Sequence, residues 1–162
     1  MTPMHPIRTP RVKICCIRSH DEALLAIRHG ASAALGLVSA MPSGPGPIPE
    51  ELIAEIAAQV PPLIATFLLT SRRDAASIIE QQRYTRVNTL QIVDHLATSE
   101  LIELHRALPG VRLVQVIHVE GPESLEEVKP SRRTWMQFCS TREDPKRPLR
   151  NLAERDEYMT GP

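Results

Sequence analysis

The sequence carries no net charge of either sign, with 19 basic side chains set against 19 acidic ones. Nothing therefore steers it toward nucleic acid or an anionic membrane surface. Cysteine is scarce and odd in number, three in 162 residues, which argues against a disulfide framework and for a reducing compartment. Long apolar runs are missing too. No stretch could span a bilayer, and the opening MTPMHPIRTP lacks the apolar centre of a secretory signal. These absences point to a cytoplasmic protein with no nucleic-acid or membrane partner. The length suits one domain with a buried core.

What is present is a repeat of two textures. Short apolar runs rich in β-branched residues, expected as strands over 12–17, 34–38, 63–69, 89–93 and 112–119, alternate with segments rich in Ala, Glu, Leu and Ile. Those segments predict helices over 21–29, 50–60, 72–84 and 99–107. Asp21 and Ser71 have the chemistry of N-terminal caps, while Gly30 and Gly110 stand where a helix end wants a left-handed residue. Strands apolar on both faces and joined through helices imply a parallel sheet. Their starts lie roughly 22 to 29 residues apart, close to the unit length of a (β/α)8 barrel. A further helix is expected from GPESLEEV, at residue 121 onward.

The densest chemistry lies in RVKICCI, residues 11–17. From spacing alone, Cys15 reads as a small buried side chain before it reads as a catalytic base. Cys16 falls on the opposite strand face and reads as core packed beneath a helix. A disulfide between neighbours would strain the backbone. His20, His29, His95, His105 and His118 show no metal-ligand spacing with a cysteine, so neither zinc nor any other cofactor is expected. His118 either lines the mouth of the sheet or is an ordinary polar residue at a strand end. Asp94 either approaches the same place or caps the next helix.

In this order of units, VKICCIRSHDEALLAIRHGASAALGLV resembles the N-terminal segment of the phosphoribosylanthranilate isomerase family of tryptophan biosynthesis. That family opens with a Lys-Ile-Cys-Gly strand end and a Gly-Ala-x-Ala-Leu-Gly-Phe second strand. The likeness continues through PPLIATFLLT, NTLQIVD and LPGVRLVQVIHV, about four fifths of the chain. It implies an incomplete TIM barrel of five βα units over residues 11–128, after a flexible stretch at 1–10. The activity implied is an Amadori rearrangement of a phosphorylated small-molecule substrate. A general acid opens the ribose ring at its oxygen, and a general base takes the proton from the neighbouring carbon.

By the resemblance, Cys15 is that base. It acts as a thiolate, a form that a nearby cation favours, and Lys13 lies two residues back on the same strand face. Gln91, Asp94 and His118 join Lys13 as expected substrate-binding residues, since the loops after barrel strands form the active-site mouth. The chain departs from the family in four places. Cys16 replaces the motif glycine. SAALG carries one extra residue, a bulge or register shift before the second strand. Pro45 stands where an arginine normally holds the anthranilate carboxylate. Gln91-Ile-Val-Asp94 replaces Gln-Leu-His-Gly, keeping the glutamine and losing the histidine.

From Lys129 onward the period is lost, and an irregular or disordered tail is expected over 129–162. Trp135, Phe138 and Tyr158, three of only five aromatic residues, crowd into it among Arg, Glu and Pro. A sheet stopping at five strands would have two open edges through which it could self-associate, and would lack both the strand-six aspartate acid and the phosphate loops of strands seven and eight. By itself such a chain is not expected to be active. Displacing the reading frame by one base changes the picture. Over Thr134–Arg142 the genetic code then forces Asp at Trp135-Met136 and Ala at Met136-Gln137, and permits Val-Asp-Ala-Ile-Leu-Leu-Asp-Ser, the family's strand six. Leu152–Asp156 permits Gly-Gly-Thr-Gly, and Met159-Thr160 forces Asp. The tail therefore reads as frameshifted isomerase, with the slip near Val128. Sequencing the gene checks this: codons for residues 129–162 should spell these motifs one frame over, and codons that do not would end the idea.

Overall fold

The computed structural model describes residues 11–30, 33–42, 44 and 46–118, together with the backbone of 136–141. The expected N-terminal stretch, the helix at GPESLEEV, Pro45 and the rest of the tail lie outside the described residues. The elements run β1 (Lys13–Ile14), α1 (His20–Arg28), β2 (Ala34–Val38), α2 (Glu50–Gln59), β3 (Ala65–Thr70), α3 (Ala75–Thr85), β4 (Thr89–Ile92), α4 (Thr98–Ala107), β5 (Arg112–His118) and β6 (Met136–Thr141).

All pairings are parallel and the strand order is β1-β2-β3-β4-β5-β6. Each new strand joins the same edge. Right-handed crossovers then put every helix on one face, and the sheet curls as a partial barrel does. Leu35, Leu37, Leu68, Leu90, Ile92 and Leu113 point outward and share a core with Ile53, Ile56, Ile78, Leu101 and Leu104 of the helices. On β3 the alternation is visible residue by residue: Thr66, Leu68 and Thr70 are buried, whereas Ala65, Phe67 and Leu69 are only half-buried on the concave side.

The five expected strands and the four helices expected between them are found, with ends that differ by a few residues. The first strand is the exception. It was expected over 12–17 but is paired only at Lys13 and Ile14, because the chain leaves extended geometry at Cys16, where φ is +62°. The extra residue before β2 is absorbed as a bulge, in which the N–H groups of Ala33 and Ala34 both donate to the Val12 carbonyl, at 3.1 and 3.3 Å. A further difference is β6, which pairs with β5 from Leu113↔Met136 to His118↔Thr141, inside the segment read as irregular. MQFCST holds only two residues favoured in strands, Phe138 and Thr141, and no regular period to reveal it.

The caps shift by a few residues. Ser19, not Asp21, caps α1 by accepting from the Glu22 N–H at 3.1 Å. Asp74, not Ser71, caps α3 by accepting from the Ser77 N–H at 2.8 Å. Gly30 and Gly110 have φ of +117° and +91°, as expected past helix ends. Neighbouring helices also satisfy one another. Glu100 of α4 accepts from the free Ala75 N–H at 2.6 Å, and Glu50 of α2 accepts from Arg72 at 2.8 Å and Gln81 at 2.7 Å.

Hydrogen bonds from the Ser77 hydroxyl and N–H, with Arg72 nearby, hold the Asp74 carboxyl below its ordinary range. A depressed carboxyl contributes stability above its unfolded value and loses it as pH falls through the folded one. Asp74→Ala should therefore lower Tm at neutral pH, and its melting curve should converge with that of the native chain toward pH of about 2. Asp74→Asn should keep the cap and remove the pH dependence. Thermal melts across this range check it, and a neutral-pH Tm unchanged in Asp74→Ala would overturn the capping role.

Candidate active site

Directly after β1 the backbone makes a break that places two thiols. Cys16 holds a left-handed conformation that suits glycine and costs an ordinary residue about 1–2 kcal/mol. The ladder then resumes as the buried Ile17 donates its N–H to the Gly36 carbonyl at 3.1 Å. Cys15 thus reaches over β2. A β-carbon added to Gly36 would lie 2.5 Å from the Cys15 Sγ and 3.1 Å from its Cα, so the thiol occupies space that only a glycine leaves open. Cys16 has a matching socket, because a β-carbon on Gly46, itself at φ +91°, would sit 2.8 Å from the Cys16 Cβ. The loop between β2 and α2 therefore packs on Cys16. That loop is anchored where Ile48 N–H donates to the Val38 carbonyl at 2.9 Å.

Neither Cys15 nor Cys16 is in a disulfide, and Cys15 is exposed while Cys16 is half-buried. The expected burial of Cys15 as a small core residue is thereby corrected: its strand parity turns it to the concave side, away from the helices. Cys16 is not core under a helix either, since the left-handed turn swings it toward the Gly46 loop. Burial, and then the adjacent Cys15, push the Cys16 thiol up, while Lys13 and Arg18 pull it partly back.

Lys13 shares the concave face with Cys15. Its Nζ donates to Gln91 Oε1 of β4 at 2.5 Å and stands 4.5 Å from the centre of the Phe67 ring of β3. The sheet register explains the meeting: Gly36 is opposite Phe67, and Leu69 opposite Gln91, so all four share one parity. Of the residues expected at the site, Lys13 and Gln91 are brought together beside Cys15. Asp94 lies past the end of β4, half-buried, and accepts from Arg73 Nε at 3.2 Å. His118 ends β5, exposed, with Nε2 3.1 Å from the Val93 carbonyl. Among the described residues no hydrogen bond joins Asp94 to Cys15 or Lys13. Phe67, Gly36 and Gly46 were not foreseen, although a glycine inside the apolar run ALGLV signals a close approach.

Among the described residues, no group of three or more His, Cys, Asp or Glu is placed to hold a metal ion, and no helix is long and apolar enough to cross a membrane.

No family model matches the chain. It is 34% identical over 119 residues to N-(5'-phosphoribosyl)anthranilate isomerase of Geobacter metallireducens, covering 74% of this chain and 55% of that protein. It is 28% identical over 120 residues to N-(5'-phosphoribosyl)anthranilate isomerase 2 of Methanosarcina mazei, covering 74% and 53%. The crystal structure of phosphoribosyl anthranilate isomerase from Thermotoga maritima superposes with a TM-score of 0.73 at 19% identity, covering 86% of this chain and 64% of that one. The chain belongs to the phosphoribosylanthranilate isomerase family. It spans about half the length of the curated relatives it matches. A second structure, of phosphoribosyl anthranilate isomerase with reduced 1-(o-carboxyphenylamino)-1-deoxyribulose 5-phosphate, superposes with a TM-score of 0.72 at 20% identity, covering 84% and 66%. Curated relatives and solved barrels thus agree on the partial TIM-barrel architecture expected of this family member.

Gly36→Ala should drive the new methyl into Cys15 and cost about 1–3 kcal/mol, as overpacking does. Adding Cys15→Ala should recover part of the loss, because the nearest clash is with the sulfur. Denaturant melts of the single and double variants measure both effects. Equal stability of Gly36→Ala and the native chain would show that the thiol is not seated there.

Proposed function

We propose that this half-barrel carries the base half of a phosphoribosylanthranilate isomerase site, for the Amadori rearrangement of N-(5-phosphoribosyl)anthranilate in tryptophan biosynthesis. The observation that carries the reading is the exposed Cys15 thiol on the concave face, just past β1 and beside the Lys13–Gln91 pair. In this reading Cys15 takes the proton from the carbon next to the aminal centre. Lys13, on the same concave face, joins Gln91, Asp94 and His118 in lining the substrate side. Arg73, paired with Asp94, holds that carboxylate at the rim. A cytoplasmic location follows from the pathway.

The acid half is where this chain and the family part company. The family's acid is an aspartate at the end of strand six, and β6 ends at Thr141, in register with His118. The displaced frame permits an aspartate at the Ser140-Thr141 junction. We read the chain as written as lacking the acid, and so as inactive by itself. A second reading follows from the sheet, whose outer strands β1 and β6 are each paired on one side only among the described residues: a non-catalytic half-barrel that self-associates or pairs with a partner through those edges.

Complementation of a tryptophan auxotroph lacking this isomerase separates these readings. The chain as written should fail to support growth. A chain with residues 129–162 restored to the displaced frame should support it, and Cys15→Ala in that restored chain should abolish it. Robust growth with the chain as written would overturn the claim of inactivity, and growth of the restored chain without Cys15 would remove the proposed base.

A further inference from the structure

Among the described residues Lys13 has no carboxylate partner. Four ion pairs occur among the described residues, Arg18–Glu22, His20–Glu55, Arg72–Glu50 and Arg73–Asp94, and Lys13 is in none of them. Its ammonium is instead held by two neutral groups, the Gln91 amide oxygen and the Phe67 ring face. These partners orient the charge and do not neutralise it. Gln91 is itself 7% exposed, which fixes the oxygen that aims the ammonium. A half-buried charge is expensive unless something of opposite sign approaches it. The ammonium has three protons, of which Gln91 takes one, and it lies on the face where the neighbouring inward residue, Cys15, is exposed.

We propose that Lys13 is the anion-binding subsite of the concave face, receiving a carboxylate or phosphate group of a small ligand, with Gln91 and Phe67 as the residues that position it. Two residues along a strand is a displacement of about 6.6 Å. Lys13 and Cys15 thus project from one concave face, so a ligand held there by its acidic group lies on the side where the thiol is exposed. This deepens the proposed function, and it rests on that reading only for the name of the ligand.

Charge-selective alkylation tests it on the full chain. Iodoacetate and iodoacetamide both consume the Cys15 thiolate, so the ratio of their rates, read at Cys15 by peptide mass mapping, cancels thiolate availability and reports attraction of an anion. Lys13→Met should lower that ratio about 5-fold, the order expected for one charge at this separation near a protein surface. Gln91→Glu, which supplies the missing counter-charge, should lower it as far, and Phe67→Leu by about 2-fold. Lys13→Arg should keep it, and this variant guards against a Lys13→Met chain that fails to fold. An unchanged ratio in Lys13→Met and Gln91→Glu would overturn the proposal. Added 2-aminobenzoate and inorganic phosphate, against chloride at equal ionic strength, then identify the group. Protection by the first assigns a carboxylate, protection by the second a phosphate, and protection by neither overturns the subsite. Failure of the restored chain to complement, with the alkylation ratio intact, would instead sink the isomerase reading and leave the subsite standing.

Discussion

A single hydrogen bond from Lys13 to Gln91 spans three gaps between strands, and the concave face depends on it. In a flat sheet β1 and β4 would lie about 14 Å apart with their side chains parallel, not converging. The two groups meet only because the sheet curls. The curl in turn follows from laying every helix on one side, where Leu35, Leu68, Leu90 and Leu113 must be covered. Burial on the convex side thus produces polar convergence on the concave side, and the Lys13–Gln91 contact is where the two requirements coincide.

Close packing of backbone on side chain does the rest. The thiols of Cys15 and Cys16 are not placed by long side chains reaching inward but by glycines that give way, Gly36 on β2 and Gly46 in the following loop. The left-handed Cys16 backbone carries strain that a motif glycine would avoid, and what it gains is a contact that seats the β2–α2 loop. Around the rim, acidic residues of one helix satisfy the free amides and cations of the next, as Glu100 does for Ala75 and Glu50 for Arg72. These contacts hold adjacent βα units at fixed height, and so hold the loops that carry Asp94 and Arg73.

Much of this was legible in the chain. Period and spacing identified the parallel repeat, because apolar runs such as ALGLV and TLQI can be buried only between helices and neighbouring strands. The parity of Lys13 and Cys15 followed from strand geometry alone. The Phe67 and Gln91 contacts did not, because which residues of β3 and β4 face Lys13 depends on register, and register is fixed by tertiary pairing. The helix caps moved for a local reason. Ser19 and Asp74 can accept an N–H three residues on, whereas Asp21 lies inside the first turn. β6 escaped notice since six residues with only Phe138 and Thr141 favouring a strand have too little period to stand out.

At the far end of β3 and β4 two polar residues grip each other's backbone: Thr66 N–H donates to Asn88 Oδ1 at 3.0 Å, and Asn88 N–H donates to Thr66 Oγ1 at 3.1 Å. A one-residue slip between these strands would break both bonds and turn Leu90 or Ile92 inward in place of Gln91. The lysine would then face hydrocarbon and lose its orienting oxygen. A clasp remote from any thiol therefore acts as the alignment key of the whole cavity, and the identity of the group beside Lys13 is decided at the strand ends opposite the chemistry.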